Sequence, residues 1–489
     1  MQYIPTILIP GIGQSRVDLL DKNGNRVKRA WPFDLDSKAL IKKLTGPLTK
    51  MMMFRKDAGF SDAVAKLVEE VVAPLAMNSD GSSKENLRVV SFPKSVAEVT
   101  DDERRFIYRM VPVETLSEII GEENLFFFAY NSFGNLYATA AEFDKFVDMV
   151  LEKTGSDKVN LVPISLGGCV ANAYLQKYAH KKAVNRVVNF VAALDGSILI
   201  SDLLSNNINY DDVTSILSLF GGGSVEEIKP MLKVLPAGVM EVTVEKAIKV
   251  LTDAVLANST MMWGVIPRDY YGELSARLIS DSAHSIVKAQ ADQFYEAHKD
   301  YEKFIRDLEA DGIEFFNICG YGKQLIPIVA STRVSSDTII GTVSESMGAT
   351  VAPLGDVLPD TDAKYRSPDG TIDASTSLEP DRTWFFKNQQ HDGIAYNDVA
   401  LEIAKKILTE PEFNSVFSDE RFPQFNNARS AGRIKKYIMK AEQKLTGFVN
   451  NPDEIEKAIA DAKKFLDNTI VPECGDAVVL AKLKSAIGE

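Results

Sequence analysis

From the first residues onward, apolar runs of strand length alternate with stretches whose apolar positions recur at helical spacing. That alternation predicts a sheet of strands linked through helices, an α/β architecture. The expected strands are 7–9, 125–130, 159–162, 187–194, 313–319 and 384–386. Phe143, Phe146, Val147, Val150 and Leu151 repeat at i, i+3, i+4, i+7 and i+8, which predicts an amphipathic helix closed by Gly155. It feeds the apolar run "KVNLV". Val170, Ala173, Tyr174 and Tyr178 then resume helical spacing, so the chain around Ser165 reads helix, strand, sharp turn, helix.

Between Gly196 and Asp311 the pattern is helical throughout, with glycines at 221–223 as a predicted hinge. We read residues 1–196 and 311–410 as the core and 197–310 as a helical cap or lid inserted into it. Residues 411–489 read as a small helical C-terminal appendage. There is no internal repeat. The expected fold is a mostly parallel sheet flanked by helices, with these two additions.

Composition narrows the partners. A formal net charge of −13 and a pI near 5.1 argue against nucleic acid, and equally against anionic membrane surfaces. No apolar stretch is long enough to span a bilayer. The opening "MQYIPTILIPG" enters a strand-like run directly, so the expectation is a cytoplasmic protein, or an exported one whose leader has been removed. Cys169, Cys319 and Cys474 are too few and too scattered for a disulfide framework or a zinc site, and read as buried or free thiols. Oligomeric state leaves no mark.

The candidate chemistry begins with "LVPISLGGCV" at 161–170. In an open α/β sheet, ligands bind beyond the carboxyl ends of the strands. A serine on a tight strand-to-helix turn at that edge exposes its Oγ, and the next N–H, here that of Leu166, faces a developing oxyanion. Such a turn needs small residues two before and two after the serine. Gly167 satisfies this, and Pro163 stands where a glycine is usual. "SESMG" at 344–348 resembles the motif, but prolines follow it and no helical period does, so Ser346 lacks the context. The serine needs a base, and the chain has four histidines. His180 lies on the helix that starts at the serine, roughly 22 Å away at about 1.5 Å per residue. His284 and His298 fall in a charged helical stretch. His391 follows the strand "RTWFFK" and precedes a helix capped by Asn397, a loop that reaches over the sheet edge.

With "ILIPGIGQS", "FAYNSF", "TGSDKVNLVPISLGG", "SPDGTIDAST" and the late histidine in view, the sequence resembles the α/β-hydrolase superfamily. Within it, the chain is similar to the lecithin:cholesterol acyltransferase-like lipases. The resemblance covers most of residues 1–410. It departs at Pro163 and at Tyr130, Asn131 and Ser132, where the family carries "YDW". It implies a triad in the order Ser, Asp, His, and "PDGTID" carries the acid onto Asp369; the second candidate is Asp337 in "SSDTIIGT". It also implies that the first loop supplies half of an oxyanion hole, the N–H of Ile12, with Gly11 or Gly13 as alternatives.

These observations lead to a serine hydrolase of carboxylic esters, acting on lipid-like or acylated small molecules through an acyl-enzyme, with no cofactor and no metal. The acidic stretch 356–373 lacks the alternating spacing of a calcium loop. Two alternatives remain: an acyltransferase using the same triad, and a binding protein that kept the fold without catalysis. In the cap, Met261, Met262 and Trp263 form a short apolar run; Met262 and Trp263 are candidates for contact with the acyl chain.

Overall fold

The computed structural model describes residues 3–33, 36–110, 116–117, 120–210, 235–359, 363–428, 431–445, 447, 451–467 and 475–488. Twelve strands occur among them: β1 (Thr6–Ile9), β2 (Val17–Leu20), β3 (Arg26–Trp31), β4 (Leu87–Val89), β5 (Leu125–Phe127), β6 (Val159–Pro163), β7 (Val184–Phe190), β8 (Glu314–Tyr321), β9 (Thr350–Val351), β10 (Ile372–Asp373), β11 (Thr383–Lys387) and β12 (Phe425–Asn427). Seven form one sheet in the order β12-β11-β8-β7-β6-β1-β5, and every neighbouring pair in it is parallel. Parallel neighbours need crossover connections, which place helices on both faces and leave the strands buried on both sides. In β1, Ile7 and Ile9 join one apolar cluster while Leu8 joins the cluster on the opposite face.

All six expected strands are present, with ends shifted by a few residues. The expected helix is Leu136–Thr154; Gly155 closes it in the left-handed conformation (φ 66°). Asn397 caps Asp398–Thr409, its side chain accepting from the Val399 and Ala400 N–H groups at 3.1 and 3.2 Å. β2, β3 and β4 form an antiparallel sheet absent from the expectation. β3 begins "RVKR" and is exposed there, so no apolar run announces it.

β12 lies inside the stretch read as appendage. It pairs with the end of β11 and stacks Phe425 on Phe385, ring centres 5.3 Å apart. A strand of three residues is too short to show a period. The helices Ala431–Leu445, Pro452–Asp467 and Gly475–Ala486 beyond it share an apolar cluster of their own, centred on Ile434, Ala441, Ile455 and Leu483.

A helical layer stands on the loops leaving the sheet. The helix Ala237–Leu251 packs Val244 and Ile248 against Leu199, Leu203, Leu325 and Ile328. Its Val239 meets Met51 and Phe60 from the helices Ser37–Phe54 and Phe60–Val72. The layer is therefore shared between the predicted cap and an N-terminal helical pair. The predicted hinge at 221–223 and Cys474 lie outside the described residues.

Candidate active site

Ser165 follows β6 in the left-handed region, at φ 55°. Backbone bonds hold it there. Its N–H donates to Phe190 O at 3.1 Å, and its carbonyl accepts from Gly168 N (3.0 Å) and Ala193 N (2.9 Å). The small residues around it are a packing requirement: a Cβ on Gly167 would stand 2.2 Å from Ile9 O. Pro163 is tolerated as the last residue of β6, in register with Ile9. Three other non-glycine residues with positive φ lie past the carboxyl ends of neighbouring strands: Val191 (40°), Thr338 (97°) and Asn388 (59°). A β-branched residue at positive φ is strained, and strain of this kind persists where the surrounding structure over-determines a functional edge.

The first loop closes on the serine. A Cβ on Gly11 would meet Ser165 Cβ at 2.8 Å. Buried Tyr130 pins this loop through its hydroxyl, which donates to Pro10 O at 2.6 Å, and through its N–H, which donates to Ser15 Oγ at 3.2 Å. Gly11 N–H is already committed to Gln14 Oε1 at 2.6 Å, which removes it from the oxyanion alternatives. Among the described residues, the N–H groups of Ile12 and Leu166 donate to no acceptor.

The acid that meets His391 is Asp337, not Asp369. His391 Nδ1 bonds to Asp337 Oδ2, and His391 N–H donates to Asp337 O at 2.8 Å. The other oxygen, Oδ1, accepts from Ile339 N (2.9 Å) and Ile340 N (2.8 Å). Asp337 is fully buried. Burial alone would raise its pKa, but the charge and hydrogen bond of His391, a hydrogen bond with Glu345 and the Ile340 N–H hold it below the usual carboxylate range. Burial would likewise lower His391, and the Asp337 charge outweighs it, leaving the imidazole above its ordinary value. Asp369 instead staples its own turn. It accepts from the Ser367 and Thr371 hydroxyls at 2.6 and 2.8 Å and pairs with Lys387 at 3.0 Å. Against burial, these partners hold it down at about 2.

Glu345 is the residue that sequence reasoning missed, and it sits in the discarded "SESMG". It is 1% exposed and accepts from Gly320 N at 2.6 Å. A ligand atom each of Asp337, Glu345 and His391 lies within 4.8 Å of the others. Two buried carboxyls this close do not both ionise. Burial first, then the Asp337 charge, push Glu345 well above the carboxylate range, so it is the neutral member. The trio has the composition of a metal site. However, Asp337's oxygens are already taken by His391 and two N–H groups, and a neutral carboxyl is a poor ligand. Ser346 is buried, and its hydroxyl donates to Val343 O at 3.3 Å as part of a turn.

The remaining candidates lie elsewhere. His284 bonds Asp281 and Asn258, and His298 is buried beside Asp195 and stacked on Phe294. Burial pushes the Cys169 thiol up to about 12, leaving an inert side chain. Met262 and Trp263, expected on a lid's underside, are each 2% exposed and belong to the main core. Trp263 Nε1 donates to Ala257 O at 2.9 Å, and its ring meets Tyr271 edge-on. Nothing is left of them to face an acyl chain. Trp263→Ala is therefore expected to lower unfolding stability by about 3–5 kcal/mol in urea titrations, with equal fractional losses of turnover on acetyl and long-chain esters.

A family profile described as "alpha/beta hydrolase fold" matches residues 116–212, the segment that carries β5, β6, Ser165 and β7. The chain has the α/β-hydrolase fold. That profile is of the fold at large; the narrower likeness to the acyltransferase-like lipases is not part of it. No curated protein matches. Among solved structures, phospholipase PlaB from Legionella pneumophila is 14% identical with a TM-score of 0.26, over 52% of this chain and 43% of that one. The chain thus spans less than half of that protein. A Tle4–Tli4 complex is 15% identical over 77% of this chain and 88% of that one, with a TM-score of 0.31. The esterase EaEST from Exiguobacterium antarcticum is 16% identical over 39% and 85%, with a TM-score of 0.17. Among the described residues, no helix is long and apolar enough to cross a membrane.

Proposed function

We propose that this α/β-hydrolase-fold protein cleaves carboxylic esters through Ser165, His391 and Asp337. What supports the reading is a strained serine elbow after β6 together with, in the loops that follow β8 and β11, a buried Asp337 bonded to the part-buried His391. Ser165 Oγ attacks the ester carbonyl carbon while His391 Nε2 takes its proton. The carbonyl oxygen, now anionic, accepts from the N–H groups of Leu166 and Ile12. Collapse expels the alcohol, which takes the proton back from His391, and leaves the acyl group on Ser165. Water, deprotonated by His391, then attacks the acyl carbon, and Ser165 Oγ leaves with that proton as the acid is released. Asp337 holds the Nδ1–H tautomer and offsets the imidazolium charge. In an acyltransferase an alcohol would replace that water. A burst of nitrophenol equal to the enzyme concentration, on mixing with a nitrophenyl ester, tests the acyl-enzyme; a burst-free trace with no trappable acyl adduct argues against it.

The electrostatics give a pH signature. The base works only as neutral imidazole, so kcat/KM falls as pH drops through the His391 pKa, above the ordinary 6.5. Glu345→Gln is expected to leave that limb where it is, because an uncharged group replaces an uncharged group. Were Glu345 ionised, the substitution would remove a negative charge beside His391 and move the limb to lower pH. A kcat/KM profile of both proteins reads the difference.

A further inference from the structure

The segment 37–56 holds Lys38, Lys42, Lys43, Lys50, Arg55 and Lys56 and no acid, in a chain whose net charge is −13. All six cations are exposed. At its end Met52, Met53 and Phe54 are 56%, 71% and 57% exposed, while Met51 is fully buried and anchors the helix. Nearby acids are largely engaged: Glu70 pairs with Lys43, Asp62 with Lys246, and Asp57 accepts from Ser61. The geometry points to this helix end as a docking tip for an anionic lipid bilayer, with the methionines and phenylalanine inserted and the cations at the headgroups.

The arrangement of the apolar residues selects the partner. Three consecutive residues fan over about 200° of a helix circumference. A protein groove takes one face, at i, i+3 and i+4, and would leave part of that fan in water. A bilayer surrounds an inserted tip on every side. Basic residues beside it are drawn to anionic headgroups, and this attraction acts within a Debye length, so the local run of cations outweighs the distant negative total. The proposal runs against the expectation from net charge that anionic membranes are disfavoured. Through Met51, Phe60 and Val239 the helix belongs to the layer built on the loops after β7 and β8.

Sedimentation of the full chain with vesicles tests this, using phosphatidylcholine alone or mixed equally with phosphatidylserine. Binding to the mixed vesicles is expected, weakening as salt rises. Joint replacement of Met52, Met53 and Phe54 by serine, or Lys42→Glu with Lys50→Glu, is expected to weaken it about tenfold or more. Both variants change exposed positions outside the proposed triad and oxyanion loop, so melting temperature and turnover of a water-soluble ester serve as controls and are expected unchanged. Wild-type protein that stays in the supernatant, binds both vesicles equally, or sediments equally well after either replacement overturns the proposal.

Discussion

Ser165→Ala and His391→Ala are each expected to lower kcat on a nitrophenyl ester by about 10⁶, with a double variant no worse than either single one. The two residues act as a unit: without the hydroxyl there is nothing to acylate, and without the imidazole the hydroxyl keeps its proton. His180, His284 and His298 changed to alanine are expected to stay within a few-fold. His284 is tied to Asp281 and Asn258, and His298 is stacked in the core. Steady-state kinetics on the five variants check the ranking. Full activity in His391→Ala, or collapse in one of the other three with the fold intact, would reassign the base.

Asp337→Asn is expected to lower kcat by about 10⁴ without unfolding the protein, while Asp369→Asn stays within a few-fold. The amide fits the same space and can still accept from Ile339 and Ile340 N–H, so the loop survives. It cannot hold the required tautomer or balance the imidazolium. Its loss also removes the main charge that raises His391, with only Asp392 left to oppose burial, so residual activity should persist to lower pH than in the wild type. Asp369 lies in a turn held by Ser367 and Thr371, and its amide variant loses mainly the exchange with Lys387. Measured kcat values in the reverse order would restore Asp369 as the acid.

The contrast between the two aspartates shows where the sequence is readable. Strands such as β1 and β6 read as short, mostly apolar runs because a central parallel strand is buried on both faces, and that signal is strong. The elbow is equally legible, since the approach of Gly167 to Ile9 forces a small residue at a fixed offset. Asp337 is different. It sits in an irregular excursion after β8, and only the folded chain brings it to His391. "PDGTID" misled because Asp-Gly-Thr also builds a self-contained turn, which is what Asp369 does here. Glu345 was hidden for the same reason: its four-residue helix, Thr342–Glu345, is too short for a period, and its partner Gly320 N lies on β8. For Met262 and Trp263 the sequence leaves two readings open, because a short apolar run looks alike on a lid and in a core. Only the contacts with Ala257 and Tyr271 decide between them.

If Ser165 is an activated nucleophile, intact-protein mass spectrometry after exposure to a fluorophosphonate shows a single adduct on the wild-type chain, mapping to the peptide that contains Ser165. Much slower labelling is expected of Asp337→Asn and none of Ser165→Ala. Equal labelling of wild type and Ser165→Ala, or no adduct on folded wild-type protein, would contradict it.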